Sequence, residues 1–158
     1  MRLTRRGRRV VLIAGALVVA TAAVAVAVLT RGPSIIVPDD ACASPPPLQS
    51  WHGVTLQPLA MTAFKEAVRR SGRTIRVVQS YRSCADQRAA CTRVCGDPNG
   101  CPDRCARPGT SYHQLGAAVD VTVETLDRPK AVQALLDTGW CQSLPGSDPG
   151  HFSYGGCH

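Results

Sequence analysis

The chain of 158 residues carries 18 Lys and Arg against 11 Asp and Glu, a formal charge of +7, but the excess is local. Six of the basic residues lie within residues 1–31, so the remainder holds 12 basic against 11 acidic residues and is close to neutral. A near-neutral body without a clustered basic face excludes nucleic acid as a partner, and this length leaves room for one small domain.

Residues 1–9 contain Arg2, Arg5, Arg6, Arg8 and Arg9, and Val10 to Leu29 is a charge-free, largely apolar run of 20 residues. As a helix it would be about 30 Å long, enough to cross a bilayer. Arg31 is the only charge flanking its far end, so the positive-inside rule leaves residues 1–9 in the cytoplasm and places the C-terminal remainder outside. Ala23-Val24-Ala25 also offers a signal-peptidase site. A retained anchor over 10–29, which the length favours, and a cleaved signal both export the rest. Residues 30–50 include Pro33, Pro38, Pro45, Pro46 and Pro47 and read as an extended spacer. Residues 51–158 then form the extracytoplasmic domain, expected to be monomeric.

Within that domain, Pro58 to Arg70 predicts a helix with Ala60, Phe64, Ala67 and Val68 on one stripe and Gly72 as its stop. Ile75 to Gln79 is a β-branched strand ending at a Tyr81-Arg82 turn. Ser83 with Asp86 resembles a capping box, opening a helix to about Cys95. Gly96 to Gly109 is a Pro-, Gly- and Cys-rich loop expected to lie over the entrance to a site. Val119, Val121 and Val123 alternate with Ala118, Asp120 and Thr122, a period of two that predicts a half-buried strand with the valines inward. Asp127-Arg128-Pro129 starts a last helix, with Gly139 beyond its end. His151 to Tyr154 alternates again and can pair beside the first strand, and Trp51 and Trp140 are core or rim aromatics. The fold class is α+β: a small antiparallel sheet flanked by helices.

Eight cysteines, Cys42, Cys84, Cys91, Cys95, Cys101, Cys105, Cys141 and Cys157, all lie beyond the apolar run. In a small exported domain an even number predicts four disulfides, whose pairing the sequence leaves open. The competing reading is a thiolate metal site at Cys91-x3-Cys95-x5-Cys101-x3-Cys105. Its spacing is not the usual two-residue knuckle, and oxidising surroundings favour bridges.

The segment Ser111-Tyr112-His113-Gln114-Leu115-Gly116-Ala117-Ala118-Val119-Asp120, together with the later Asp148-Pro149-Gly150-His151, holds two imidazoles and two carboxylates. A catalytic zinc takes three protein ligands and leaves a position for water. His113, Asp120 and His151 fill the three places and Asp148 stands beside the open one, while Gly116 permits the turn that brings His113 back towards Asp120. His52 and the terminal His158 carry no such pattern.

These residues resemble the VanY-like D-alanyl-D-alanine carboxypeptidases, in the zinc peptidase superfamily that also holds D-Ala-D-Ala dipeptidases, lysostaphin-type enzymes and the hedgehog domain. Ser111, His113, Gly116, Ala118 and Asp120 match that family's Ser-x-His-x-x-Gly-x-Ala-x-Asp motif. Ser80-Tyr81-Arg82-Ser83 with Asp86-Gln87 is similar to its upstream Tyr-Arg-Ser-x-x-x-Gln segment. The resemblance spans about residues 55 to 154. It implies one zinc ion on His113, Asp120 and His151, with Asp148 as general base, Arg82 on a carboxylate or developing oxyanion, and Ser111 and Gln87 beside the substrate. The substrate it implies is a peptidoglycan stem peptide cut between terminal D-alanines. The same ligands would also serve an L,D- or endopeptidase, or a zinc-stabilised module that binds wall peptides without cutting. Two departures stand out. The family's base is Glu, and Asp148 reaches about 1.5 Å less far, where a misplacement of that order can cost ~10²-fold in rate. Gly150 replaces the usual aromatic, which would leave this stretch of backbone freer.

Overall fold

A computed structural model describes residues 40–102 and 104–157. The basic segment, the apolar run over 10–29 and His158 lie outside the described residues, among which no helix is long and apolar enough to cross a membrane.

Strands β1 (Gln49–Trp51) and β2 (Val54–Leu56) form an antiparallel hairpin. Its two-residue turn, His52-Gly53, has φ of +48° and +81°, the doubly left-handed geometry that matches the strand twist. Helix α1 (Pro58–Arg70) begins on a proline, whose missing N–H costs nothing at a helix start, and ends at Ser71 and Gly72. It buries Ala60, Met61, Phe64 and Ala67, adding Met61 to the expected stripe, with Val68 only partly covered. Strand β3 (Val77–Gln79) is shorter than expected, although Ile75 is still buried. Helix α2 (Cys84–Cys95) opens as the capping box predicts, the Asp86 N–H donating to Ser83 Oγ at 3.2 Å, and closes on left-handed Gly96.

Strand β4 (Ala118–Val121) is followed by a short helix α3 (Val123–Leu126), then by α4 (Pro129–Leu136), β5 (Trp140–Cys141) and β6 (His151–Tyr154). The valine alternation therefore stops one step early. Val119 and Val121 are buried, but Val123 is 68% exposed, because Thr122 turns the chain into α3 and ends the pleat. The expected last helix is α4, opening on Pro129 after Arg128 in the extended conformation that precedes a proline, and α3 is an additional short helix before it.

Strands β3, β4, β6 and β5, in that order, make one antiparallel sheet. One face packs on α1 and α4 through Phe64, Met61, Val119, Leu135, Trp140 and Phe152. Burial of side chains this size stabilises by roughly 1.5–3 kcal/mol each.

All eight cysteines are bridged: Cys42–Cys84, Cys91–Cys105, Cys95–Cys101 and Cys141–Cys157. This replaces the thiolate metal alternative, since no thiol is left to ligate. Three of the bridges tie α2 to segments with little regular structure. One of them, Cys42–Cys84, changes the reading of residues 40–50, which were expected to belong to the spacer. Ala41 is buried, its N–H donates to Gly109 O at 3.0 Å, and Gln49 already lies in β1. This stretch is built into the domain.

Candidate active site

The antiparallel register places Asp120 of β4 directly opposite His151 of β6. His113 arrives from the turn preceding β4. That turn closes at Gly116, with φ of +63°, where a Cβ would meet Leu48 Cδ2 at 2.6 Å and the Gln57 backbone N at 2.9 Å. Only glycine permits this approach. Gln57 N–H donates to Gly116 O at 2.8 Å across the same contact.

The three side chains meet. His113 Nε2 lies 3.2 Å and His151 Nδ1 2.9 Å from Asp120 Oδ1, and one ligand atom from each residue falls within 4.8 Å of the others. Donors about 2.1 Å from a tetrahedral zinc sit roughly 3.4 Å apart, so the spacing fits. The proton inventory makes a stronger case. His113 Nδ1 is 2.6 Å from the Ser80 carbonyl, which can only accept, so Nδ1 carries the hydrogen. In the neutral imidazole, Nε2 then points a lone pair at the Asp120 oxygen. Two lone pairs face to face require a cation between them: a second proton or a metal. A backbone carbonyl fixing the far nitrogen is the arrangement that orients histidine ligands in metal sites. Burial raises the Asp120 pKa, but where the cation between them is a proton, hydrogen bonds and charge from the protonated His113 and His151 outweigh it, and the carboxyl is held well below the usual range. Asp120 is a carboxylate, as a ligand must be.

The cluster opens into a cleft of about 420 Å³, whose walls include Arg82, Ser111, Asp148 and Leu144. Arg82 is held from two sides: Nη1 donates to Gln87 Oε1 at 2.9 Å and Nη2 donates to Gln79 Oε1. Its buried Nε–H has no partner among the described residues. Burial lowers its pKa from the ordinary arginine value, opposed by the charge of Asp120. Gln87 is itself buried, its Nε2 donating to Ala106 O at 2.8 Å. The amide thus bridges Arg82 and the disulfide-held loop 96–109, leaving little of it to reach a substrate directly. Ser111 is buried on the cleft wall. Asp148 is exposed in the turn before β6 and lines the same cleft outside the ligand cluster.

At Gly150 the expected freedom is absent. A Cβ there would meet Val121 O at 2.9 Å, and the Gly150 carbonyl accepts from Val121 N–H at 2.9 Å. The glycine lets the turn press against β4 beside His151.

The VanY family model, described as D-alanyl-D-alanine carboxypeptidase, matches residues 56–144, more than half of the chain. The chain belongs to this family. Asp148 and His151 lie just beyond the matched stretch; the β4–β6 pairing joins His151 to it, and the His151 N–H donates to Asp148 O at 3.1 Å. No curated protein sequence matches the chain. Three solved structures share the VanY-type fold. VanYB in complex with D-alanine-D-alanine is 18% identical with a TM-score of 0.53, over 71% of this chain and 78% of that one. A Glu-to-Ala variant of the vancomycin-resistance D,D-pentapeptidase VanY, in complex with Zn(II), is 19% identical with a TM-score of 0.54, over 78% and 89%. The LD-carboxypeptidase LdcB is 18% identical with a TM-score of 0.51, over 80% and 71%. Family and fold are those of the zinc peptidase superfamily.

Several wall residues carried no sequence signal. Arg93 lines the cleft from α2 and Arg104 from the loop. The i, i+3, i+6 spacing of Gln87, Ala90 and Arg93 along α2 is visible only once the helix is known to face the site.

Proposed function

We propose that the chain is a zinc-dependent carboxypeptidase of peptidoglycan stem peptides, releasing a terminal D-alanine. The observation that carries this reading is the convergence of His113 Nε2, His151 Nδ1 and the Asp120 carboxylate in a cleft also lined by Arg82 and Asp148. His113, Asp120 and His151 would hold one zinc ion, which when bound polarises a carbonyl and lowers the pKa of its water towards ~7.

The remaining work falls to the chain's own side chains. Asp148 takes the proton of the attacking water at its carboxylate and returns it to the leaving amine. Arg82, locked by Gln79 and Gln87, offers a preorganised guanidinium to the terminal carboxylate of the peptide or to the developing oxyanion. Ser111 adds a hydroxyl on the same wall. The apolar run over 10–29 would hold the domain, as a monomer, on the outer side of the membrane where such peptides lie.

The test is incubation of purified full-length protein and zinc with a pentapeptide ending in D-Ala-D-Ala, and then measurement of product mass. Loss of one alanine is expected. An intact peptide with zinc in place would leave a zinc-stabilised binding module, the reading that the shorter Asp148 side chain favours. Release of a different fragment would assign an L,D- or endopeptidase cut.

A further inference from the structure

The cleft contains more positive charge than terminal-carboxylate recognition uses. Arg82 sits beside the ligand cluster, and Arg93 and Arg104 line the same cleft from two other elements, α2 and the loop between Cys101 and Cys105. Both are exposed, and among the described residues neither is paired with a carboxylate. Arg93 is close enough to depress the Arg82 pKa. Arg93 and Arg104 lie on elements cross-linked by Cys91–Cys105 and Cys95–Cys101, so they cannot drift apart as free loop residues would.

The helix gives the scale of the separation between the two cationic points. Gln87, which grips Arg82, and Arg93 are six residues apart on α2, about 9 Å of helical rise. In an extended peptide bound by its terminal carboxylate at Arg82, the third residue from the end is two steps away, about 7 Å. Its side chain covers the rest. We infer that Arg93 and Arg104 form a second anion subsite that selects a substrate whose third residue from the carboxyl end bears a free side-chain carboxylate. A 2,6-diaminoheptanedioic acid residue provides that group. A lysine at the same place offers only an ammonium, which two arginines repel, so the subsite discriminates by attraction and by like-charge exclusion.

This rests on the cleft being a stem-peptide site, and the experiment separates the two claims. Two peptides ending in D-Ala-D-Ala and differing only in the third residue, diaminoheptanedioic acid or lysine, are compared with the zinc-loaded full chain. The diacid peptide is expected to show about tenfold higher kcat/KM, a preference that shrinks with added salt as exposed charges are screened. In Arg93→Gln/Arg104→Gln the ratio falls to near one, and in Arg93→Glu/Arg104→Glu it inverts. Because the readout is a ratio within one protein, a general loss of activity does not disturb it. Equal kcat/KM in the wild type, or a preference that survives both double variants, overturns the subsite. If neither peptide is cut, it is the peptidase reading that fails. The subsite is then judged by fluorescence anisotropy of the labelled peptides: a binding preference lost in the double variants supports it, and equal binding overturns it.

Discussion

The two walls of the cleft are built by opposite means. On one side, Asp120 and His151 face each other across a hydrogen-bonded strand pair, and His113 is placed by a glycine turn and a carbonyl hydrogen bond. On the other, α2 and the loop 96–109 are joined by Cys91–Cys105, Cys95–Cys101 and the buried Gln87 amide. Metal ligands need placement within a few tenths of an ångström, which sheet register provides because a one-residue slip would reverse every side chain. The substrate wall needs shape and charge but less precision, and covalent links hold an irregular segment in place without a core beneath it. Removing a ligand side chain from the first wall is therefore expected to abolish chemistry while sparing the fold. Damage to the second should weaken folding and substrate capture together.

The sharpest break lies in the ligands. His113→Ala, Asp120→Ala and His151→Ala should each drop bound zinc to near zero by metal analysis and take hydrolysis to background, with the disulfides intact by mass spectrometry. Zinc retained in all three would place the metal elsewhere.

Next is Asp148, which belongs to the strand-built side but sits on its exposed turn. Asp148→Ala should lower turnover by ~10²–10⁴-fold with zinc still bound. Asp148→Glu should raise turnover above wild type, since an exposed side chain has room to regain the missing methylene. A fall would mean that the turn has already adjusted to aspartate.

The opposite wall is tested by Cys91→Ser/Cys105→Ser. Opening a bridge of sequence separation 14 should cost about 3 kcal/mol, read as a lower denaturation midpoint. It should also raise KM more than it lowers kcat, because Ala106 no longer fixes Gln87 and, through it, Arg82. An unchanged KM would disconnect the loop from the site.

The smallest effect is expected at Gly150. Its Cβ in Gly150→Ala would press on Val121 O at 2.9 Å, costing roughly 1–3 kcal/mol and displacing the neighbouring His151. Thermal unfolding and zinc affinity should fall together; a change in neither would show that the turn yields freely.

Some of this was legible because the signals are local. The capping pair Ser83 and Asp86, the α1 stripe and the alternation around Asp120 each act within one element. The His113, Asp120 and His151 cluster could be read because two of its members are seven residues apart and the third lies in a strand whose own pattern shows. The alternation failed at Val123 because a strand's end is set by what the chain does next, and Thr122 turned it into a helix. Residues 40–50 looked like a spacer because proline content reports stiffness, whereas their attachment comes from Cys84, Gly109 and Gly116, all more than 60 residues away or bound through a bridge.

By itself the sequence determined the residue types that can bind zinc, the helices that bury one stripe, and an even set of eight cysteines able to pair completely. All of these come from short-range periodicity or from the chemistry of single side chains. The tertiary structure decided which cysteines pair, which nitrogen of His113 faces the carboxylate, that Gln87 serves Arg82, and that Arg93 and Arg104 share a cleft. Each of those depends on distances between segments remote in the chain, and no local pattern encodes such a distance until the core has brought the segments together.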